Sequence, residues 1–486
     1  MALAKNQTSP VSNKAFQHKP EHQQGSGVMC SALIVAAPHS GSGKTTVTAA
    51  LARYHRNQGR KVTVFKVGPD FIDPMILRQA SGELVYQLDL WLVGEKGCQE
   101  LLYRAAVESD LILIEGVMGL FDGTPSSADL AQYFNIPVLG VIDAKAMAQT
   151  FAAVTFGLAK FRDNLPFSGV IANRVNTERH AELLSNSMPE EFNFYGRLPK
   201  DDSITLPERH LGLVQAQELA DIDTQLDQAA SHIVNTGLVD LPEKVEFFAV
   251  EANGSEYVDQ KSFIHRALVG TRVIIIRDNA FSFIYAANIA FLEQAGAEVC
   301  YCSALNDAHL PEGDILYIPG GYPELYAEKL MNNVTFISDV KAFAASNKPI
   351  IAECGGMLYL LEQLTDMSGQ QSPMLGLMPG HAIMQKKLAS IGSQWVDLSP
   401  LYESSTDDQV TTHEPNVGNN IMRGHSFHYS RAEIDLEPMC QTKHHPSERL
   451  GEYVYQHNNI LASYMHWYFP SNPGLTLRIF NKARCF

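Results

Sequence analysis

A glycine-flanked cysteine closes an apolar run, Pro349-Ile350-Ile351-Ala352-Glu353-Cys354-Gly355-Gly356-Met357. About 310 residues earlier stands a small-residue loop with a lysine, Pro38-His39-Ser40-Gly41-Ser42-Gly43-Lys44-Thr45-Thr46. The first wording suits a sharp strand-to-helix turn that presents a thiol. The second suits a loop whose backbone N–H groups gather around phosphate oxygens. A thiol able to take an acyl group, paired with a site for a nucleotide triphosphate, points to ATP-driven amidation with glutamine as nitrogen donor.

In the phosphate loop, Gly41, Ser42 and Gly43 let the backbone converge on an anion, Lys44 neutralises it, and the Thr45 hydroxyl, with Thr46 behind it, can reach Mg2+. Pro38 stands where such loops usually begin with glycine, which leaves a chance glycine turn as the plain alternative. The apolar run before the loop and the helical pattern from Val47 to Arg56 argue against chance. Two further strand ends carry charge, Lys66-Val67-Gly68-Pro69-Asp70-Phe71-Ile72-Asp73-Pro74 and Ile114-Glu115-Gly116-Val117-Met118-Gly119-Leu120-Phe121-Asp122-Gly123. In an open sheet these ends adjoin the phosphate loop, so Asp70 and Glu115 can complete a Mg2+ shell while Lys66 meets a transferring phosphoryl group. The alternative for Asp70, Asp73 and Asp122 is capping of turns beside Pro and Gly. It suits Glu115 least, because that residue ends an otherwise apolar strand.

At the thiol end, a helix is expected from Met357 to Leu364, and an elbow there would aim Cys354 at a helix N-terminus and lower its pKa. Gly321, in the Gly320-Gly321 pair after the run Asp314 to Pro319, and Gly355 are placed to offer N–H groups to an oxyanion. His466 is the candidate base, since it follows the strand-like run Ile460 to Met465; His425 and His428 compete with it. A buried, inert cysteine is the alternative for Cys354.

Sites at strand ends require sheets to end on. Apolar runs at Ala32 to Ala37, Val62 to Lys66, Leu111 to Glu115, Pro137 to Ile142 and Gly169 to Ala172 alternate with helical patterns, which predicts a parallel sheet in a three-layer α/β domain. The pattern restarts at Val273 to Arg277, Glu298 to Cys302, Ile315 to Pro319 and Pro349 to Glu353, so a second open sheet with its own carboxyl edge is expected. The domains are read as 29–237 and 269–486, joined by a more polar linker at 238–268 and preceded by a disordered tail at 1–28. Glu403 to Asn420 and Gln441 to Arg449 read as surface insertions.

A chain of 486 residues, 45% of them hydrophobic, is enough for two or three cores. A net charge of -16 excludes a general electrostatic grip on nucleic acid or on an anionic membrane. Seven cysteines without CxxC spacing or a framework of pairs fit a reducing cytoplasm. The first 28 residues have no apolar core of a signal peptide, and no run reaches the ~20 apolar residues of a membrane span.

Together these segments resemble the cobyrinate a,c-diamide synthase family of corrinoid biosynthesis, related to dethiobiotin synthetase in the first half and to triad glutamine amidotransferases in the second. The likeness runs from about residue 30 to 468 and is most specific at Lys66 to Pro74, Glu115 to Gly123, Pro319-Gly320-Gly321-Tyr322-Pro323-Glu324, Glu353 to Met357 and Gly424 to Ser430. It implies a P-loop NTPase-like sheet followed by a class I amidotransferase-like, flavodoxin-like sheet. It also implies Cys354 as nucleophile, His466 as base, and Asp70, Phe71 and Asp122 at the substrate. ATP and Mg2+ are the implied cofactors; cobyrinate or hydrogenobyrinate, L-glutamine and ATP are the implied partners, and a homodimer is compatible with the family. Two departures stand out. Class I glutaminases usually carry glutamate two residues after the histidine, where this chain and the family have another residue, here Tyr468; and relatives often have tyrosine in place of Phe71. Cobyric acid synthase or nickel sirohydrochlorin relatives, another ligase such as a CTP synthase analogue, and a nucleotide switch with an inert amidotransferase-like domain are the competing readings.

Overall fold

The computed structural model describes residues 27–204, 208–209, 212–213, 221–250, 264–403 and 420–481. Most of the expected tail, residues 251–263 of the expected linker, and most of the polar stretch 403–420 lie outside the described residues.

In the first half, seven strands run parallel in the order Tyr86–Leu88, Val62–Val67, Leu111–Glu115, Val28–Ala36, Val138–Asp143, Phe167–Asn173 and Asn193–Arg197. Successive residues face opposite sides of the sheet. Ala32, Ile34 and Ala36 enter one core, while Leu33, Val35 and Ala37 enter the other. Burial on both faces is why these strands read as unbroken apolar runs rather than alternating ones. The strand ends that carry Lys66, Glu115 and Asn173 therefore line one carboxyl edge, beside the loop that follows Val28–Ala36.

An eighth strand, Lys244–Phe247, joins this sheet antiparallel to Val28–Ser31. Val245 and Phe247 are buried in the first core while Lys244 and Glu246 face out. The stretch expected to be linker from 238 thus contains a strand of the first sheet; with only two inward residues, it lacks the apolar run that marks the others.

In the second half, Glu298–Cys302, Arg272–Ile276, Ile315–Ile318, Ile350–Glu353 and Ile460–Ser463 form a parallel core. Its two faces are filled separately, by Ile274, Leu316 and Ala352 on one side and by Ile275, Tyr317 and Ile351 on the other. The ladder then continues antiparallel through Leu450–His457, Cys440–His444, Ser390–Asp397, Ile421–His428 and His466–Trp467. His466 follows Ser463 by three positions yet pairs at the far end of this ladder, so the sheet curls back on itself. Gln441 to Arg449, expected as a surface insertion, instead contributes to the interior strand Cys440–His444, where Thr442 and His444 are buried. No helix among the described residues is long and apolar enough to cross a membrane.

Candidate active site

At the nucleotide end, Gly41 and Gly43 take φ values of 79° and 95°, a left-handed region that glycine enters without strain. A Cβ at Gly43 would also collide with Asn173 Nδ2, which donates to Ser42 O at 2.9 Å and holds the loop. The helix Lys44–Asn57 begins directly behind it, three residues earlier than the periodicity indicates. Thr46 lies in its first turn. Lys44 Nζ donates to Met118 O at 2.6 Å, and the Thr45 hydroxyl donates to Glu115 Oε1 at 2.6 Å.

Lys66 is the hub of the strand ends. Its buried ammonium lies 2.7 Å from Asp73 Oδ2, 3.1 Å from Glu115 Oε1 and 3.6 Å from Asp70 Oδ2. Burial opposes its charge, but Asp73, Glu115 and Asp70 outweigh it and hold its pKa above the ordinary lysine value. Burial pushes Glu115 up to about 7, with Lys66 pulling the other way and Asp73 adding to the rise. Burial and then Asp73 push Asp70 up to about 8, whereas Lys66 holds Asp73 below the ordinary carboxylate value despite burial. Lys44 is pushed down, first by burial and then by the charge of Lys66. Lys44, a partly desolvated cation repelled by Lys66 at the end of a phosphate-type loop, is in a setting an anion relieves.

The expected metal residues divide. Among the described residues no group of three or more His, Cys, Asp and Glu side chains is arranged to hold a metal. Magnesium held mainly by phosphate oxygens and water needs only one or two protein ligands. Glu115 Oε2, buried and without a hydrogen-bond partner, sits on the same carboxylate that meets Thr45, and this pair fits that role. Asp70 is engaged otherwise, since its Oδ1 accepts from Ile72 N at 2.9 Å and Asp73 N at 3.2 Å and closes the turn into the helix Asp73–Ser81. Asp122 is exposed and accepts from Gly119 N at 2.9 Å, at the rim of the loop after Glu115.

At the thiol end, Cys354 joins the strand Ile350–Glu353 to the helix Gly355–Leu360 with φ 45°, a left-handed value for a residue with a Cβ. The lowered pKa expected for it is not found. The residue is only 5% exposed, and burial pushes the thiol up against the Gly355 N–H, with Glu324, Glu452 and Glu353 adding to the rise. Desolvation outweighs the favourable end of a six-residue helix. A Cβ on Gly355 would stand 2.9 Å from Gly321 N, so the two expected oxyanion residues are neighbours.

His466 lies against Gly320, where a Cβ would collide with its Cε1. His428 shares the small pocket at Cys354, but both its ring nitrogens are taken, by Ser430 O at 2.9 Å and Glu452 Oε1 at 3.1 Å. His425 is the cross-strand partner of His466, with ring centroids 5.0 Å apart, and its Nδ1 is held by Tyr285 Oη at 2.6 Å. Burial, and then His466, keep it well below the ordinary histidine value.

Phe71 brings the two ends together. Its ring, from the first half, lies 4.9 Å from His466, 5.3 Å from His425, 4.6 Å from Tyr285 and 5.3 Å from Phe283. Tyr322 and Tyr468 complete this cluster. Beside it Arg423 Nη1 donates to Trp91 O at 2.6 Å, and the Trp91 ring is stacked on His445 at 4.6 Å. A cleft of about 700 Å3 opens on the same seam, between Asp70 and Arg78 on one side and Arg277 and Tyr301 on the other.

Glu353, Tyr285 and Asn173 also belong to these sites, beyond the residues expected from sequence. Glu353 carried the signal that singled out Glu115, a carboxylate ending an apolar strand; the other two are legible only once strands far apart in the chain are paired.

Residues 33–214 match the CobQ/CobB/MinD/ParA nucleotide binding domain, and residues 272–474 the CobB/CobQ-like glutamine amidotransferase domain. The chain is 49% identical over 444 residues to a hydrogenobyrinate a,c-diamide synthase of Stutzerimonas stutzeri, covering 91% of this chain and 97% of that protein. It is 48% identical to the protein of that name from Pseudomonas aeruginosa (94% and 98% covered) and 43% identical to a cobyrinate a,c-diamide synthase of Herminiimonas arsenicoxydans (92% and 96% covered).

Proposed function

The chain belongs to the hydrogenobyrinate and cobyrinate a,c-diamide synthase family, and from that membership we propose that it converts the a and c acetate side chains of hydrogenobyrinate or cobyrinate to amides. ATP supplies the energy and glutamine the nitrogen. The observation that carries the reading onto these residues is the seam, where Phe71 packs at 4.9 Å on His466 while Asp70, one residue before it, lies 3.6 Å from Lys66.

A free carboxylate is a poor electrophile for ammonia, so the γ-phosphoryl group is first transferred to the acetate, giving an acyl phosphate. The loop from Gly41 to Thr46 holds the nucleotide phosphates, and Lys44 and Lys66 stabilise charge on the group in flight. Thr45 and Glu115 would hold Mg2+, which would offset the negative charge of the phosphates. Asp122, exposed at the loop rim, positions the macrocycle. In the second half the Cys354 thiol attacks glutamine with His466 as base, and the N–H groups of Gly321 and Gly355 face the resulting oxyanion. Because burial holds the thiol neutral, proton transfer to the base accompanies attack. Ammonia then passes the seam at Phe71 and displaces phosphate from the acyl phosphate; a second cycle amidates the other acetate. The free cysteines among the described residues support a reducing compartment, the cytoplasm.

The test incubates purified enzyme with Mg-ATP, glutamine and either macrocycle, and follows product mass together with glutamate and ADP. Two successive carboxyl-to-amide conversions are expected, each with one glutamate and one ADP. Higher identity to relatives named for hydrogenobyrinate supports the metal-free ring as the better substrate. Nucleotide hydrolysis without any release of glutamate would overturn the reading.

A further inference from the structure

We infer that Glu353, the residue immediately before the nucleophile, is the carboxylate that positions and charges His466, in the place left by Tyr468. The inference rests on the glutaminase reading of Cys354 and His466. Glu353 is 1% exposed at the end of the strand Ile350–Glu353. Its Oε1 accepts from the backbone N–H of Trp467, the residue after His466, at 3.1 Å, and its Oε2 accepts from Tyr317 Oη at 2.8 Å. Both partners are neutral. The nearest ionisable nitrogen is His466 Nδ1, 3.8 Å from Oε2, and that nitrogen has no hydrogen-bond partner although it is buried.

An interior carboxylate whose hydrogen-bond donors are both neutral and an interior imidazole nitrogen with no hydrogen bond, facing each other, are costly apart and compensating together. The gap is ~0.8 Å longer than a typical N–H···O hydrogen bond, and such bonds at catalytic groups often close only when substrate binds. The curl of the sheet makes the arrangement possible. After Ile460–Ser463, the strand beside Ile350–Glu353, the chain crosses to the far edge, where His466 pairs with His425 and its ring faces the end of the nucleophile strand. Phe71, His425 and Gly320 close the other sides of the ring and leave Nδ1 directed to Glu353.

As Cys354 Sγ bonds to the glutamine carbonyl carbon, the thiol proton passes to His466 Nε2 and the ring becomes an imidazolium whose Nδ1–H faces Glu353. As the carbon–nitrogen bond breaks, that proton leaves with ammonia, and water later hydrolyses the thioester with no further reactant. Glu353 touches neither substrate nor sulfur in this sequence; it is a positioning residue.

The test compares Glu353→Gln and Glu353→Asp with the unaltered enzyme, measuring glutamine hydrolysis over a range of pH and, on the same preparations, amidation with ammonium salt. Glutamine kcat is expected to fall by up to about 10⁴ in Glu353→Gln, the loss found when a triad histidine has its carboxylate replaced by an amide. Its KM should stay near the parent value, and the acid limb of the rate profile should move to lower pH, because removing an anion disfavours the imidazolium. Glu353→Asp should recover part of the rate, and ammonium-dependent amidation should persist in both variants. Glutaminase within about threefold of the parent with an unmoved acid limb overturns the inference, as does parallel loss of ammonium-dependent amidation, which would assign Glu353 to holding the fold. Failure of the unaltered enzyme to release glutamate would instead overturn the glutaminase reading itself.

Discussion

Replacing Lys66 by methionine tests the charge cluster at the carboxyl edge of the first sheet. Methionine keeps much of the side-chain volume and removes the ammonium that Asp73, Glu115 and Asp70 face at 2.7, 3.1 and 3.6 Å. The three acids do not lose equally. Asp73 alone is held below its ordinary value by Lys66, so it is charged throughout the neutral range. Glu115 and Asp70, pushed up to about 7 and about 8 by burial, can take a proton in place of an ion pair. The expected loss is therefore that of one broken buried pair, about 3–5 kcal/mol, and not of three. The dependence on pH has a definite sign. Acids whose folded pKa is raised bind protons that the unfolded chain releases, so their cost to the fold grows as pH climbs from ~4 towards 8. Lys66 itself, with its pKa raised, stays charged below ~10.5 and contributes uniformly across that window. Without Lys66, Asp73 joins the costly acids, and the deficit of the variant is larger at about pH 9 than at about pH 6. Urea unfolding of both proteins without nucleotide reads the deficit, and amidation with ammonium salt on the same samples should be lost. A deficit under about 1 kcal/mol, the range of exposed pairs, or one equal at both pH values, would refute the picture of a buried ion set.

Cys354→Ser should abolish amidation from glutamine while leaving amidation from ammonium salt within about twofold, and loss of both in a folded protein would refute the division of labour between the halves. Gly320→Ala places a methyl group against His466 Cε1; displacing the ring should lower glutamine hydrolysis about 10²-fold with ammonium-dependent amidation unchanged, and unaltered hydrolysis would show the imidazole is not held there. Phe71→Ala removes a ring in contact with four others and should cost about 3–5 kcal/mol in denaturant unfolding. It should also raise glutamate formed above amide formed as ammonia escapes; a ratio that stays at one to one, with unchanged stability, refutes the role of Phe71 at the seam.

Much of this architecture was legible because parallel strands buried on both faces must be apolar throughout, and Leu111–Glu115, buried at every position, was read to the residue. The phosphate loop and the cysteine elbow were legible because glycine spacing records backbone geometry. The antiparallel half of the second sheet was not. Its strands bury polar side chains in pairs, as where Thr442 Oγ1 meets Gln394 Oε1 and Gln394 Nε2 approaches His444 Nε2 at 3.4 Å, so polarity there does not signal exposure. The direction of the thiol pKa was hidden for a related reason. A helix N-terminus is visible in the sequence, whereas the burial that chiefly raises the thiol, and the smaller push of Glu324 and Glu452, come from distant segments.

The contacts of the Trp91 ring with Arg423 and His445 give the molecule an optical reporter. The chain has three tryptophans, and the other two, Trp395 and Trp467, belong to the second half. Any parting of the halves changes the surroundings of Trp91 while Trp467 stays enclosed in its own core. In a protein from which Trp395 and Trp467 have been replaced, emission from the one remaining indole would show, turnover by turnover and without an attached dye, whether filling the phosphate loop tightens or loosens the joint across which nitrogen has to travel.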